Sequence, residues 1–389
     1  MQAEEQLSYV LTKLDRIEFF EGILGSSDTL IVENRLERLD LSYLRLENLP
    51  PDTFEGLGSL KRLQLNSNLI ETLDSQVFAS LTNLEHLNLT NSLLTEIKVE
   101  TLKPLEKLTL LKARSNKIRQ LDPDVFSSCP HLDYVDLTNN LLTVIDAGVF
   151  KPLAQLVWLN LSRNNLVTVA PDQFVSQSSL QMLDLSINQL LELPEDVFSP
   201  LKNLSALALE HNELTNLPNG VFSRLGRLTT LNLNYNIIYS LEDGIFDDLE
   251  DLLELLLEFN AYSDLNPSLF INLKKLDRFS IGGNGLIEVH EKLLVNMPKL
   301  RTLRLRNNKL ERLPRTFFLH TPELVDLALN DNMMLELPPS FVDLDKLHFF
   351  NFSDNPDLFP NDKLYKNRLE VKKYQDYLRM KSVTKSRKI

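Results

Sequence analysis

A single cysteine in 389 residues leaves no disulfide framework and no cysteine-based zinc module. Glycine is scarce at 11 residues and proline stands at 18, and with the apolar content given below wholesale disorder is excluded. No apolar run reaches the ~18 residues of a membrane-spanning helix. The first twenty residues carry Glu4, Glu5, Asp15 and Glu18 instead of a basic stretch followed by an apolar one, so no export signal is read there. Positive charge is also short: the formal net charge is −13. Residues 1–35 hold 3 basic and 7 acidic side chains, residues 356–389 hold 10 and 4, and the long middle carries −15. Nucleic acid is therefore not an expected partner, because phosphate binding depends on lysine and arginine. What is abundant is apolar content, 43%, enough to bury a large core.

That apolar content is periodic. Leucine recurs every 24 residues at 36, 60, 84, 108, 132, 156, 180, 204, 228, 252, 276, 300 and 324, and a last unit starts at Leu347 after a 23-residue step. The pattern of the fourteen units is L-x-x-L-x-L-x-x-N, as in Leu156, Leu159, Leu161 and Asn164, with substitutions in some of them. Counting the first leucine as position 1, the L-x-L step places two leucines on one face of a strand, since side chains alternate with period two. One such strand cannot bury its face alone, whereas stacked neighbours make a continuous core. Position 9 is Asn in twelve units, with Leu44 and Ser92 as exceptions. Asparagine there can satisfy backbone groups of the turn after the strand, and Ser92 is expected to supply part of that bonding. A second apolar column runs Leu49, Leu73, Ile97, Leu121, Ile145, Val169, Leu193, Leu217. A third is aromatic, from Phe54 through Phe78, Phe126, Phe150, Phe174, Phe198, Phe222, Phe246, Phe270 and Phe318 to Phe341, interrupted by Leu102 and Leu294. Cys129 occupies a column held elsewhere by Leu57, Leu81, Leu105, Leu153 and Leu201, and reads as a buried small hydrophobe.

With these columns the sequence resembles the leucine-rich repeat family, in its 24-residue typical subtype, over residues 36 to about 355. The resemblance implies an α/β solenoid, a right-handed horseshoe with a parallel sheet on its concave face and fourteen repeats between short caps without cysteines. Residues 1–35 are expected to form an N-terminal cap, with a helical apolar spacing at Leu7, Val10, Leu11 and Leu14 and a strand at Thr29–Val32. Residues 356–389 are expected to form a basic C-terminal cap, with a helical pattern at Leu364, Val371, Tyr374 and Leu378 and a frayed tail from Ser382.

Catalytic signatures are missing. The six histidines show no metal-ligand spacing, and there is no H-E-x-x-H, G-x-S-x-G or G-x-x-x-x-G-K-S/T. Gly282-Gly283-Asn284-Gly285 reads as a turn, with Asn284 at position 9. A carboxylate pair could hide only among Asp136, Asp184 and Glu210 on the inner face. No enzyme activity, cofactor or metal is expected.

Function must then lie in the side chains between the leucines, where positions 2, 3, 5, 7 and 8 are expected to face solvent. Position 3 holds Leu110, Tyr134, Trp158 and Met182 in consecutive units, a stripe of large side chains suited to anchoring a partner. Leu253, Leu256 and Phe259 in the tenth unit, with Tyr235 from the ninth, make a second candidate patch. Arg278, Arg301, Arg304 and Arg306 form a basic cluster that could receive an acidic partner segment. A protein or peptide ligand on the concave face is the expected partner. The resemblance implies a receptor-like, adhesion or immune-type protein of the extracellular space. The missing signal and cysteine caps point instead to a cytoplasmic adaptor, and weak homo-association building a matrix is a third reading. Sequons at Asn88, Asn160, Asn203 and Asn351 bear on the compartment, although the repeat consensus itself generates such triplets.

Overall fold

The computed structural model describes residues 36–355, 364–365 and 368–386; the expected N-terminal cap at residues 1–35 lies outside them. The chain divides into two compact units at Asp184 and Leu185, and each is described in turn.

In the first, every repeat contributes a three-residue strand from positions 3–5: β1 Arg38–Asp40, β2 Arg62–Gln64, β3 His86–Asn88, β4 Leu110–Lys112, β5 Tyr134–Asp136, β6 Trp158–Asn160 and β7 Met182–Asp184. They pair in parallel and in register, so that Leu110, Tyr134, Trp158 and Met182 are successive partners in one row. The middle residue of each strand and the position-6 leucine point into the core, as with Leu159 and Leu161. A short helix, α1 (Val99–Leu102), replaces the turn of one unit where Leu102 stands in the Phe column.

The second begins with β8 Ala206–Ala208, β9 Thr230–Asn232, β10 Glu254–Leu256, β11 Arg278–Ser280, β12 Thr302–Arg304, β13 Asp326–Ala328 and β14 Phe349–Asn351, again parallel and in register. Short 3₁₀ turns at Pro267–Phe270 and Pro339–Asp343 lie on the return side of their units.

The columns do what their chemistry requires. Asn140 is typical of position 9. Its Oδ1 accepts from the Ile118 N–H at 3.1 Å, and its Nδ2 donates to the carbonyls of Ala113 and Leu137 at 3.0 Å each. One amide thus ties a turn both to its own strand and to the preceding unit, which is why the residue recurs. Ser92 departs from expectation: its buried hydroxyl has no hydrogen-bond partner, because the short side chain cannot span what Asn spans. Position 8, just before the Asn, is left-handed in both units, from Ser67 (φ 59°) and Asn139 (φ 56°) to Gly283 (φ 68°) and Asp331 (φ 57°). Serine, asparagine, aspartate and glycine suit that conformation. The Phe rings stack from unit to unit, Phe126 on Phe150 at 6.2 Å and Phe222 on Phe246 at 6.2 Å. Cys129 is fully buried, and desolvation pushes its thiol up to about 12, so it is an inert core residue.

The C-terminal cap differs in part from its expected form. Leu364 does not start a helix: β15 (Leu364–Tyr365) pairs antiparallel with β14 and occupies the sheet edge that β14 exposes. The helix α2 follows at Arg368–Ser386, so it continues through the residues expected to fray after Ser382. Val371, Tyr374 and Gln375 form its buried face. Tyr374 stacks on Phe352 at 5.5 Å, and the Gln375 amide donates to the carbonyls of Phe341 and Leu344.

Candidate functional site

The stripe expected from position 3 forms in the first unit. In-register parallel pairing stacks equal positions of adjacent repeats about 4.8 Å apart, close to the thickness of an aromatic ring pair. Tyr134 and Trp158 use that spacing fully, with ring centroids 4.1 Å apart and planes only 1° from parallel. The Lys112 ammonium lies 5.6 Å from the Tyr134 centroid, closing the stack by a cation–π contact. Leu110 precedes the pair, and Met182, 40% exposed, follows it. Desolvation, with a smaller contribution from Asp136, raises the Tyr134 phenol above the usual tyrosine range, and burial then Arg62 hold the neighbouring His86 imidazole low. The row is therefore uncharged at neutral pH apart from the lysine at its edge: a stiff apolar ridge.

The carboxylates Asp136 and Asp184 beside it are engaged in hydrogen bonds within the sheet. Asp136 is buried and accepts the Thr138 N–H at 3.0 Å. Asp184 accepts from the Asn160 amide at 2.9 Å and stands two strands away. Among the described residues no group of three or more His, Cys, Asp or Glu is placed to hold a metal ion, and no helix is long and apolar enough to cross a membrane.

The second patch is rearranged. Tyr235 does meet Phe259, ring on ring at 4.5 Å, and His211 joins on the other side at 4.2 Å. Sequence reasoning passed over His211, although position 8 holds His211, Tyr235 and Phe259 at 24-residue steps, which is the signal that would have found it. Leu253 is exposed but precedes β10, while Phe259 follows it, so the two lie at opposite ends of the strand; Leu256 is half-buried between them along the chain.

The arginines are largely not a free basic cluster. Arg278 Nε lies 3.3 Å from Glu254, Arg304 Nη2 3.9 Å from Asp326, and Arg306 Nη2 2.8 Å from Glu258; Arg301 alone is simply exposed. Opposite charges in neighbouring units meet sideways, so what looks basic along one strand is compensated across strands. Arg306 reaches two units back, over Gly282, where an added Cβ would sit 2.8 Å from the Arg306 side chain. At Gly283 a Cβ would lie 2.4 Å from the Phe259 ring, so it is the ring that calls for glycine in a turn that other units make with larger residues. The Arg306 guanidinium in turn lies 5.6 Å from the Phe259 centroid.

Position 7 was expected to face solvent throughout. It does not: Thr138, Ser162, Ser186 and Glu258 are all buried, because the chain already turns inward there. The sequon asparagines are also engaged. Asn88 donates to Gln64 at 2.7 Å and Asn160 to Asp184 on the sheet face, while Asn203 lies off the strands and accepts from Arg227.

Known proteins share this architecture. The leucine rich repeat family model matches residues 34–94, 82–142, 130–190, 178–238, 226–286 and 298–356. A leucine-rich repeat protein of Leptospira interrogans superposes with a TM-score of 0.73 at 26% identity, covering 85% of this chain and 88% of that one. A chain of the Drosophila Toll–Spatzle complex superposes at a TM-score of 0.72 with 24% identity, a likeness of fold, over 86% of this chain and 47% of that one. A 52-residue stretch is 46% identical to chaoptin of Tribolium castaneum, spanning 13% of this chain and only 7% of chaoptin. With the repeat columns, the paired strands and a family model matched along most of its length in agreement, the chain belongs to the leucine-rich repeat family.

Proposed function

We propose that the chain is a non-catalytic recognition scaffold that takes a protein or peptide ligand on the sheet face of its first unit, through Leu110, Tyr134, Trp158 and Met182. The observation that carries this reading is the coplanar Tyr134–Trp158 pair, 4.1 Å apart on the open face of the sheet. Core packing does not require it, since the leucines behind are already buried. Rigid aromatic side chains at the centre of a contact surface supply much of the binding energy in protein interfaces, at little cost in side-chain entropy.

Tyr134→Ala together with Trp158→Ala should weaken partner capture by at least about 2 kcal/mol, roughly 30-fold, with the circular dichroism spectrum and unfolding temperature nearly unchanged. Undiminished capture by that variant removes the row from consideration.

The scaffold is assigned to the extracellular or cell-surface side, supported by the 24-residue subtype with its Phe column. A glycan on Asn160 would stand two residues from Trp158 on the same face and would displace the Asn160–Asp184 hydrogen bond, so the two uses exclude one another. Asn203, off the sheet, is the sequon expected to be occupied. An endoglycosidase-sensitive mass shift at Asn203 in protein from its native host tests this placement; an unmodified Asn203 favours a cytoplasmic adaptor.

A further inference from the structure

In the second unit, position 8 is filled against its conformational preference. Elsewhere this left-handed turn position mostly holds Ser, Asn, Asp or Gly. In consecutive units it holds Ile187 (φ 52°), His211 (φ 53°), Tyr235 (φ 53°) and Phe259 (φ 54°). A β-branched side chain and two large aromatic ones are unfavourable there, and such residues persist where the surroundings or a function hold them in place. The side chains are not stored in the core. His211, Tyr235 and Phe259 stack in a ladder with separations of 4.2 and 4.5 Å, and the ladder is braced at its far end by Gly283 and by Arg306, itself tied to Glu258.

The ladder continues outward. After Tyr235 the chain runs extended along the preceding unit, with Ile237 donating its N–H to the Leu214 carbonyl and Tyr239 to that of Thr215. Asn236 and Ile238 turn inward, while Tyr235, Ile237 and Tyr239 turn out, at 43%, 52% and 58% exposure. The result is an exposed apolar surface on the rim beyond the strand ends. Its border is acidic: Glu213 holds the same position as Ile237 one unit earlier, Glu210 precedes His211, and Asp264 lies just beyond Tyr239 in the next unit. The nearest cation of the ladder, Arg306, has Glu258 as its counter-ion.

We propose that this rim is a second docking surface, distinct from the sheet row, for a protein segment presenting aliphatic or aromatic side chains flanked by lysine or arginine. It rests on the reading of the chain as a protein-binding scaffold and adds the chemistry of one partner. Burying Tyr235, Ile237 and Tyr239 supplies affinity, and the acidic border selects basic flanks and rejects acidic ones.

Selection of a random 15-residue peptide display library on the intact chain tests the proposal, followed by titration of the synthesised winners. The expected winners combine an apolar core with Lys or Arg flanks. They bind Tyr235→Ser/Tyr239→Ser about tenfold more weakly than wild type, bind Trp158→Ala unchanged, and weaken with added salt. Rim-dependent winners with acidic flanks overturn it, as does an absence of any rim-dependent peptide. Failure of the sheet-row reading registers separately, as unchanged partner capture by the Tyr134/Trp158 variant. Ile187→Asn adds a readout independent of binding. Asparagine suits the left-handed turn, so its unfolding temperature should rise; a fall would show that the bulky residue serves stability and would remove the strain argument.

Discussion

Replacing Asn140 with alanine is expected to destabilise the first unit by about 2–4 kcal/mol, the summed effect of stranding the Ile118 N–H in a buried turn and of taking one of two donors from each of the Ala113 and Leu137 carbonyls. The size follows from geometry rather than from the residue's own burial. The amide is the shared partner of Ile118, Ala113 and Leu137; the two carbonyls keep a second donor in Asn116 and Asn164, whereas the Ile118 N–H loses its acceptor. Asn140→Ser should do no better than alanine, because Ser92, the natural example, makes no hydrogen bond with its hydroxyl. The reverse change, Ser92→Asn, should stabilise by about 1–3 kcal/mol. Chemical denaturation followed by circular dichroism measures all three. If Asn140→Ala loses less than about 1 kcal/mol, the ladder is decoration and the turns hold themselves.

Arg306→Met is expected to destabilise the second unit by about 3–5 kcal/mol, since it leaves the Glu258 carboxylate, only 7% exposed, without its counter-ion. Glu258→Gln combined with Arg306→Met should lose clearly less than the sum of the single changes, because the stranded charge is gone. The pH dependence has a definite sign. The hydrogen bond that Arg306 donates to Glu258, then the charge of Glu258, raises the Arg306 pKa despite partial desolvation. A base so raised contributes stability that is fully present below its unfolded-state pKa and is lost only in strong alkali. Across ordinary pH the pair therefore stays intact on the arginine side. A double variant that loses the full sum of the single changes would mean that packing of the arginine stem, and not its charge, is what Arg306→Met loses.

Much of the fold is legible in the sequence because a solenoid repeats one local problem. Leu159 and Leu161 face inward for the same reason as Leu63 and Leu65, and a 24-residue period states that reason many times over. Asn at position 9 and Phe in the third column are equally local, each solving a turn or a packing contact with the next unit. The position-3 row is legible too, since in-register pairing makes equal positions neighbours. What a single unit does not state is harder to read. Glu258 is buried only because Gly282, one unit on, leaves room for Arg306 to reach it from two units away. The arginines look like a basic cluster along the chain and are neutralised across it by Glu254, Asp326 and Glu258. Leu364 carries a helical spacing yet forms β15, because the open edge of β14 offers hydrogen bonds that local propensity does not register. His211 escaped notice because its significance lies in the rings before and after it rather than in the residue itself.

Site-specific photocrosslinking is the most direct test of sheet-face recognition. A photoreactive phenylalanine analogue placed at Leu110, beside the Tyr134–Trp158 stack, should yield one discrete crosslinked partner in native extract. The same analogue at Val175, 51% exposed on the side of the repeat away from the strands, should yield none. Equal crosslinking at both positions, or a partner captured only from Val175, would contradict recognition by the sheet row.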